Sequence, residues 1–457
     1  MTRSHIAMVS IPAPGHVNPS LEILRELVAR GHRVTYANDA AVKDVVQSTG
    51  AEFKEYASTL PRVNTAGAAD ASGKSWDGDT IDHLTLFQAE YESMLPQLRR
   101  LYEDDRPDLF LYDIAGGPAR VLAEEWNVPT VQLSPTYVAW EGYEDDMKSF
   151  VDTMRADPRG AALYERQGKL LRDNGVETDP DEFYGRPARA VVLIAKSMQP
   201  NADRVNEDVY TFVGPALPTR RPADGRWERP AAAGKVLLVS LGTAFTDHAD
   251  FYRRCIEAFG DLDGWHVVLQ IGQHVDVDEL GAVPGNVEVY RWVPQFDILG
   301  QADAFLTHAG MGGSSEGMFT GTPMIAAPQA TDQFENADAL VAAGVAVRVD
   351  SSDVSAAGLR DALTWVDAEP VRRRSAELAA ELRSAGGVDA AVRVIEEFLR
   401  SCETCRWSRL LCGHGTHTRH DHVRHHRSGA ARELVGEADG GHGRAGERRL
   451  VLRRRPP

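Results

Sequence analysis

The sequence predicts an α/β protein made of two consecutive parallel-sheet halves. Three observations carry that reading. Short β-rich runs alternate with amphipathic helical stretches along the body of the chain. A polar stretch rich in Pro, Gly and Arg interrupts the rhythm once, at residues 214–234, and the rhythm then restarts. The runs are continuously apolar, as strands buried on both faces of a parallel sheet must be.

In the first half the runs HIAMVSI, HRVTYA, DLFLYD, TVQLS and AVVLIA are the expected strands. Leu21, Leu24, Leu27 and Val28 recur at helical spacing after Asn18-Pro19, a capping residue followed by Pro at a first helical position, and Gly31 ends that helix. The loop PAPGHVNPS before it holds a single histidine, His16. In the second half KVLLVSLGT, WHVVLQIG, NVEVYRWV, AFLTH, PMIAAPQ and AVRVD are the expected strands. Two such halves imply two facing Rossmann-like domains, residues 1–215 and 235–400, joined by a linker at 216–234. One large doubly wound sheet is the alternative, disfavoured because so polar a linker is hard to bury. The stretch 370–400 is helical, with Leu378, Leu382, Val392, Ile395 and Phe398 among its apolar positions.

The chain has 457 residues, 43% of them hydrophobic, enough for a large core. No stretch approaches the roughly 20 apolar residues of a membrane span, and the run from Ile6 breaks at Pro12, too soon for a secretion signal. A soluble, cytoplasmic protein is expected. Three of the four cysteines (Cys402, Cys405, Cys412) lie beyond residue 401. The net charge is −17, yet residues 402–457 carry twelve Arg against six acidic residues, so the rest of the chain stands near −23. Such a body has no footprint for nucleic acid, and an anionic ligand must be held by local amides. Residues 401–457, with seven of the fifteen histidines and no amphipathic period, read as a disordered low-complexity tail. Its C-x-x-C has metal-ligand spacing but no clean second pair follows. The tail's composition also matches GC-rich coding DNA read out of frame, which sequencing the gene through codon 400 tests.

The richest stretch is RWVPQFDILGQADAFLTHAGMGGSSEGMFTGTPMIAAPQATDQFENADAL, residues 291–340. Strand AFLTH runs into a turn whose Gly310, Gly312 and Gly313 let backbone approach a ligand, and the helix it opens offers N–H groups to a phosphate. Tight helix–strand packing is the other use of such glycines. His308 stands at the strand's carboxyl end and Ser314 adds a hydroxyl. Glu316 can accept from ribose hydroxyls or serve the helix dipole. Trp292 can stack on a base or pack in the core, and the Val293 backbone can read the base edge. Gln295 completes this W-x-P-Q segment. Asp332 and Gln333 suit vicinal sugar hydroxyls, although Asp332 also precedes a helix as a cap would. Thr243, in VSLGT, belongs near a diphosphate. The DVD at 276–278 reads as solvated surface.

This order of W-x-P-Q, H-x-G, Gly/Ser turn, Glu and D-Q resembles the nucleotide-sugar signature of family 1 glycosyltransferases, which have the GT-B type of fold. Plant members carry Trp-Asn-Ser where this chain has Met311-Gly312-Gly313, so backbone amides take over from side chains there. PAPGHVNPSLEILRELVARGHRVTYA, DIAGGPARVLA, LSPTYVAWEGYEDD, VYTFVGP and VSLGTAFTDHADFYR, within residues 5 to about 400, look like the macrolide glycosyltransferases of antibiotic-producing bacteria. The resemblance implies transfer of glucose or a related hexose from a UDP donor to a hydroxyl of the macrolide's amino sugar, inactivating the antibiotic. It further implies that His16 is the general base and Asp113 its orienting partner. Attack opposite the UDP would invert the anomeric centre, with the turn, His308 and Thr243 holding the leaving diphosphate, so neither metal nor cofactor is expected.

Acceptor contacts are expected from 55–95 and 136–185, where Trp76, Phe87, Tyr137, Trp140 and Tyr143 form an apolar wall or belong to the core. Glu141, Glu144, Asp145 and Asp146 beside it either attract an ammonium or form a solvated face. A monomer or dimer is expected. The rival readings are the same chemistry on a flavonoid or phenol, a sugar-nucleotide epimerase, and a non-catalytic macrolide-binding protein. A UDP-glucose acceptor panel, UDP-sugar alone, and macrolide binding without UDP release separate them.

Overall fold

The computed structural model describes residues 3–61, 78–218, 227–242 and 246–411. Trp76, Thr243 and everything from Cys412 onward lie outside the described residues.

Two parallel sheets carry the fold. The first holds β1 (His5–Val9), β2 (Arg33–Asn38), β3 (Glu52–Glu55), β4 (Leu109–Asp113), β5 (Thr130–Ser134), β6 (Ala190–Val192) and β7 (Tyr210–Phe212), in the order β3-β2-β1-β4-β5-β6-β7. The second holds β8 (Lys235–Ser240), β9 (Trp265–Gln270), β10 (Val287–Tyr290), β11 (Ala304–Thr307), β12 (Met324–Ala326) and β13 (Ala346–Arg348), in the order β10-β9-β8-β11-β12-β13. Every expected run forms a strand. The two strands beyond expectation, β3 and β7, are short edges with part-exposed residues, so neither leaves a continuous apolar signal.

Strand order reverses between β1 and β4 in the first sheet and between β8 and β11 in the second. Crevices form at such switch points, outside the carboxyl ends of the strands, because the crossover helices leave in opposite directions.

The first helix starts earlier than the spacing predicts. It spans Pro14–Ala29, with Pro14 in its first turn and Pro19 inside it. Pro14 needs no N–H partner at a helix start, and Pro19 there forgoes only one bond, to Gly15. His16 therefore stands in a helical first turn rather than a loop. Val17, Ile23, Leu24 and Leu27 are buried, and Gly31, at φ +94°, follows the end.

The expected range 235–400 for the second half does not hold together either. Its last helix, Gly387–Leu411, returns to the first sheet, where Ala391, Val392, Ile395 and Leu399 join the core around β1, β2 and β4. Buried Glu396 accepts from Arg30 at 3.3 Å and faces His32 at 3.4 Å. That helix also runs past residue 401, the expected start of the tail, to Leu411. The linker's described end is packed rather than free: Arg229 pairs with Asp303 at 3.0 Å, and Trp227 lies on the second half's core.

Candidate active site

His16 follows β1 and Asp113 ends β4, so the two flank the first sheet's switch point. Both oxygens of Asp113 stand 2.9 Å from His16 Nδ1. Asp113 is 1% exposed and also accepts from the Ala115 N–H at 2.8 Å. A carboxylate so placed makes Nδ1 the protonated nitrogen and leaves Nε2 free to accept. Burial opposes protonation of His16, but the charge and hydrogen bond of Asp113, with the more distant Asp332, outweigh it and raise the pKa above the ordinary histidine value.

The second switch point lies across the cleft. Gly242 follows β8 and His308 follows β11. The His308 ring is clamped between two glycines: a Cβ on Gly310 would lie 2.4 Å from its Nε2, and one on Gly242 2.6 Å from its Cε1. No other residue fits at either position while the ring stays put. Burial pushes the His308 pKa down to about 4, so the ring is neutral at physiological pH. The backbone just past it is strained, with Ala309 at φ +61°, a left-handed conformation that costs of order 1 kcal/mol outside glycine. Thr331, at φ +51°, is strained likewise on the loop before Asp332.

One cleft of about 1040 Å³ joins the two switch points. From the first half it is lined by His16 and Ile114, and from the second by Trp292, Val293, Gln295, His308, Gly310, Gly312, Gly313, Glu316, Asp332 and Gln333. The Gly-rich turn opens the Met311–Thr320 helix, as its composition predicts, with Gly310 as its N-cap. Gly312 is open, with nothing within 4 Å of where a Cβ would stand. Trp292 is 65% exposed in the loop after β10, an indole face free to stack. The Val293 N–H is engaged by Gln270 Oε1 at 3.3 Å. Gln295 donates to Glu316 at 2.6 Å, and burial raises the Glu316 pKa against the lowering effect of that bond. Asp332 caps nothing with its side chain but accepts from Asn336 at 2.8 Å. Gln333 uses its carbonyl oxygen on the Gln329 and Ala330 N–H groups, at 2.9 and 3.2 Å, keeping its NH2 for the cleft.

Some expected residues are elsewhere. Ser314 is fully buried, its hydroxyl without a partner among the described residues, and Ser315 lines the cleft instead, because the helix rotates each successive side chain by about 100°. Phe87 packs on the first sheet's core and lines neither this cleft nor the cavity beside it. Tyr137, Trp140 and Tyr143 line that adjacent cavity. Of the expected acidic cluster, Glu144 is held by Arg186 at 2.5 Å, and Asp146 by Arg204 at 2.9 Å and the Trp140 indole at 2.7 Å, so half its charge is already paired. Asp276 of the DVD caps a short turn together with Glu279. Among the described residues no cluster of three potential metal ligands occurs, and no helix is long and apolar enough to cross a membrane.

Sequence reasoning missed Gln270, which ties the loop after β8 to the loop after β10 by donating to the Gly242 carbonyl at 2.9 Å while accepting from the Val293 N–H. Its place at the carboxyl end of β9 was the available signal.

Residues 228–393 match the family described as UDP-glucoronosyl and UDP-glucosyl transferase. The chain is similar to the oleandomycin glycosyltransferase of Streptomyces antibioticus, 52% identical over 400 residues that cover 86% of this chain and 91% of that protein. It is similar, too, to the NDP-glycosyltransferase YjiC of Bacillus licheniformis, 34% identical over 87% of this chain and 98% of that one. Among solved structures, the glycotransferase of kitacinnamycin superposes with a TM-score of 0.80 at 48% identity, over 87% of this chain and 99% of that one. The calicheamicin glycosyltransferase CalG4 gives 0.76 at 30%, over 88% and 100%. With two parallel-sheet halves meeting at one cleft and a half-identical relative spanning most of its length, this chain belongs to the family 1 glycosyltransferases and has the GT-B fold.

Proposed function

We propose that the protein transfers a hexose, glucose in the first instance, from a UDP-sugar to a hydroxyl of a macrolide, with inversion, and so inactivates the antibiotic. The observation that carries the proposal is the His16–Asp113 pair at 2.9 Å, opening on the same cleft as the Gly-rich turn and Asp332. The 52% identical relative, whose name specifies oleandomycin, supports the acceptor class.

In this reading the donor lies on the second half, with its base on Trp292, its diphosphate at the N-terminal amides of the Met311–Thr320 helix beside neutral His308, and its sugar hydroxyls on Asp332 and Gln333. The acceptor hydroxyl enters from the first half. His16 Nε2 takes its proton as the oxygen attacks C1, the C1–O bond to UDP breaks on the opposite face, and Asp113 stabilises the imidazolium formed. Charge growing on the diphosphate meets backbone N–H groups and the helix dipole, so we propose no metal step. Activity unchanged after dialysis against EDTA is expected. UDP-sugar is a cytoplasmic metabolite, which supports a cytoplasmic setting. The primary test is mass spectrometry of the protein with UDP-glucose and a panel of macrolides and phenols, looking for an added hexose. His16→Ala should lower turnover by orders of magnitude with donor affinity kept; near-normal turnover would remove His16 as the base.

A further inference from the structure

Beside the cleft, sharing Ile114 with it, lies a second cavity of about 730 Å³. Its walls carry five aromatic rings, those of Tyr137, Trp140, Tyr143, Tyr184 and Tyr210, and no Lys, Arg or His. The second half closes it with the Gln333–Ala342 helix, which contributes Glu335 and Asp338. Asp338 is neutralised by Arg348 at 2.6 Å. Glu335 has no ion pair or hydrogen bond among the described residues, and its charge is felt across the cavity. After burial, Glu335 is the next cause raising the Tyr137 pKa, and it acts on Tyr143 as well. The guanidiniums nearby are committed elsewhere, Arg186 to Glu144 and Arg120 to the Phe183 carbonyl.

A second observation is independent of the charge. Gln132, in the middle of β5, is only 6% exposed, lines this cavity, and has no partner for its side-chain amide among the described residues. Because the residue lines the cavity, its carbonyl oxygen and NH2 are groups a ligand would satisfy. Rings around a void, one unpaired carboxylate at its edge and one unpaired acceptor inside it together describe a receptor for an organic cation. The ring faces attract an ammonium, the carboxylate supplies the counter-charge, and the amide oxygen accepts an N–H.

We propose that this cavity receives an alkylammonium group of the acceptor, held by the aromatic walls, Glu335 and Gln132. The inference rests on the acceptor reading above and narrows it to hydroxylated acceptors bearing a basic amine. Ile114 lines both this cavity and the cleft that holds His16, so an acceptor whose amine is seated here extends its remaining part into that cleft. Asn336, on the same helix as Glu335, accepts from the Tyr137 hydroxyl at 2.9 Å and ties the two halves at the rim.

Titration calorimetry of the full chain with protonated N,N-dimethylbenzylamine and with its uncharged carbon isostere, isobutylbenzene, tests this directly. The amine should bind ~10-fold tighter than the isostere or better. Glu335→Gln, at an exposed position where folding is not at stake, should remove most of that preference. The amine should also raise the KM of a dimethylamino macrolide in the transfer assay without changing the KM of the UDP-sugar. An isostere that binds as tightly, or a preference untouched by Glu335→Gln, overturns the proposal. Selective amine binding with no UDP released to any acceptor would instead sink the transferase reading and leave the cation site standing.

Discussion

Replacing Asp113 by Asn tests the catalytic pair with almost no change of shape. The carboxylate stands 2.9 Å from His16 Nδ1 and is 1% exposed, so water screens it little. When His16 takes the acceptor proton, a full positive charge appears beside it. At roughly 4 Å between charge centres and an effective dielectric of about 20, their attraction is worth about 4 kcal/mol. Losing it should slow kcat about a thousandfold. An Asn amide can in addition donate to Nδ1 and favour the tautomer whose Nε2 is protonated and cannot accept. The assay is steady-state UDP release, with donor affinity measured separately by calorimetry and expected to stay within about twofold, since Asp113 does not line the cleft. The pH profile adds a second readout. His16 must be neutral to act, so wild-type activity falls on acidification through a pKa above the ordinary histidine value. In Asp113→Asn only burial of the ring remains as the main cause, so that limb should move to lower pH. A kcat within tenfold of wild type, or an acid limb that does not move, would refute the reasoning.

Three further outcomes are expected. Gly310→Ala places a methyl 2.4 Å from the His308 ring and should raise the KM for UDP-sugar at least tenfold, leaving melting temperature less affected than donor binding; an unchanged KM would mean the ring does not face the donor. Because the folded-state pKa of His308 is lowered to about 4, its stability contribution is full above the unfolded value near 6.5 and is lost as pH falls from there toward 4. In urea titrations wild type should therefore lose about 2 kcal/mol more than His308→Gln between pH 7.5 and pH 5, and parallel losses would contradict the buried neutral ring. Glu396→Leu leaves His32 and Arg30 without their buried carboxylate and should cost about 3 kcal/mol, read as a lower urea midpoint; equal midpoints would show that this contact does not hold the last helix.

The strands were legible because parallel strands buried on both faces must be apolar without interruption, and all the expected runs pair. What escaped was set by context. The edges β3 and β7 bury too little to leave a pattern. The first helix's start turned on which of two prolines took the first turn, and both satisfy the local rule. In the site, strand ends and glycines placed His308 and the turn, since chain direction alone fixes the carboxyl edge of a parallel sheet. The exchange of Ser315 for Ser314 needed the helix phase, which depends on where the N-cap falls. The acids at 141–146 looked available in the sequence because their partners Arg186 and Arg204 lie 42 and 58 residues away.

The return of the last helix to the first sheet means that the backbone passes between the halves twice, and the two passages touch. The Gly387 N–H donates to the Val213 carbonyl at 2.9 Å, and Gly214 and Gly387 are both left-handed, at φ +75° and +48°. A Cβ on Gly214 would press on Leu382 at 3.3 Å. The two threads thus lie side by side, with a left-handed glycine in each. A gene cut between its two sheets would yield no self-sufficient front piece, since the cover over β1, β2 and β4 is encoded at the far end.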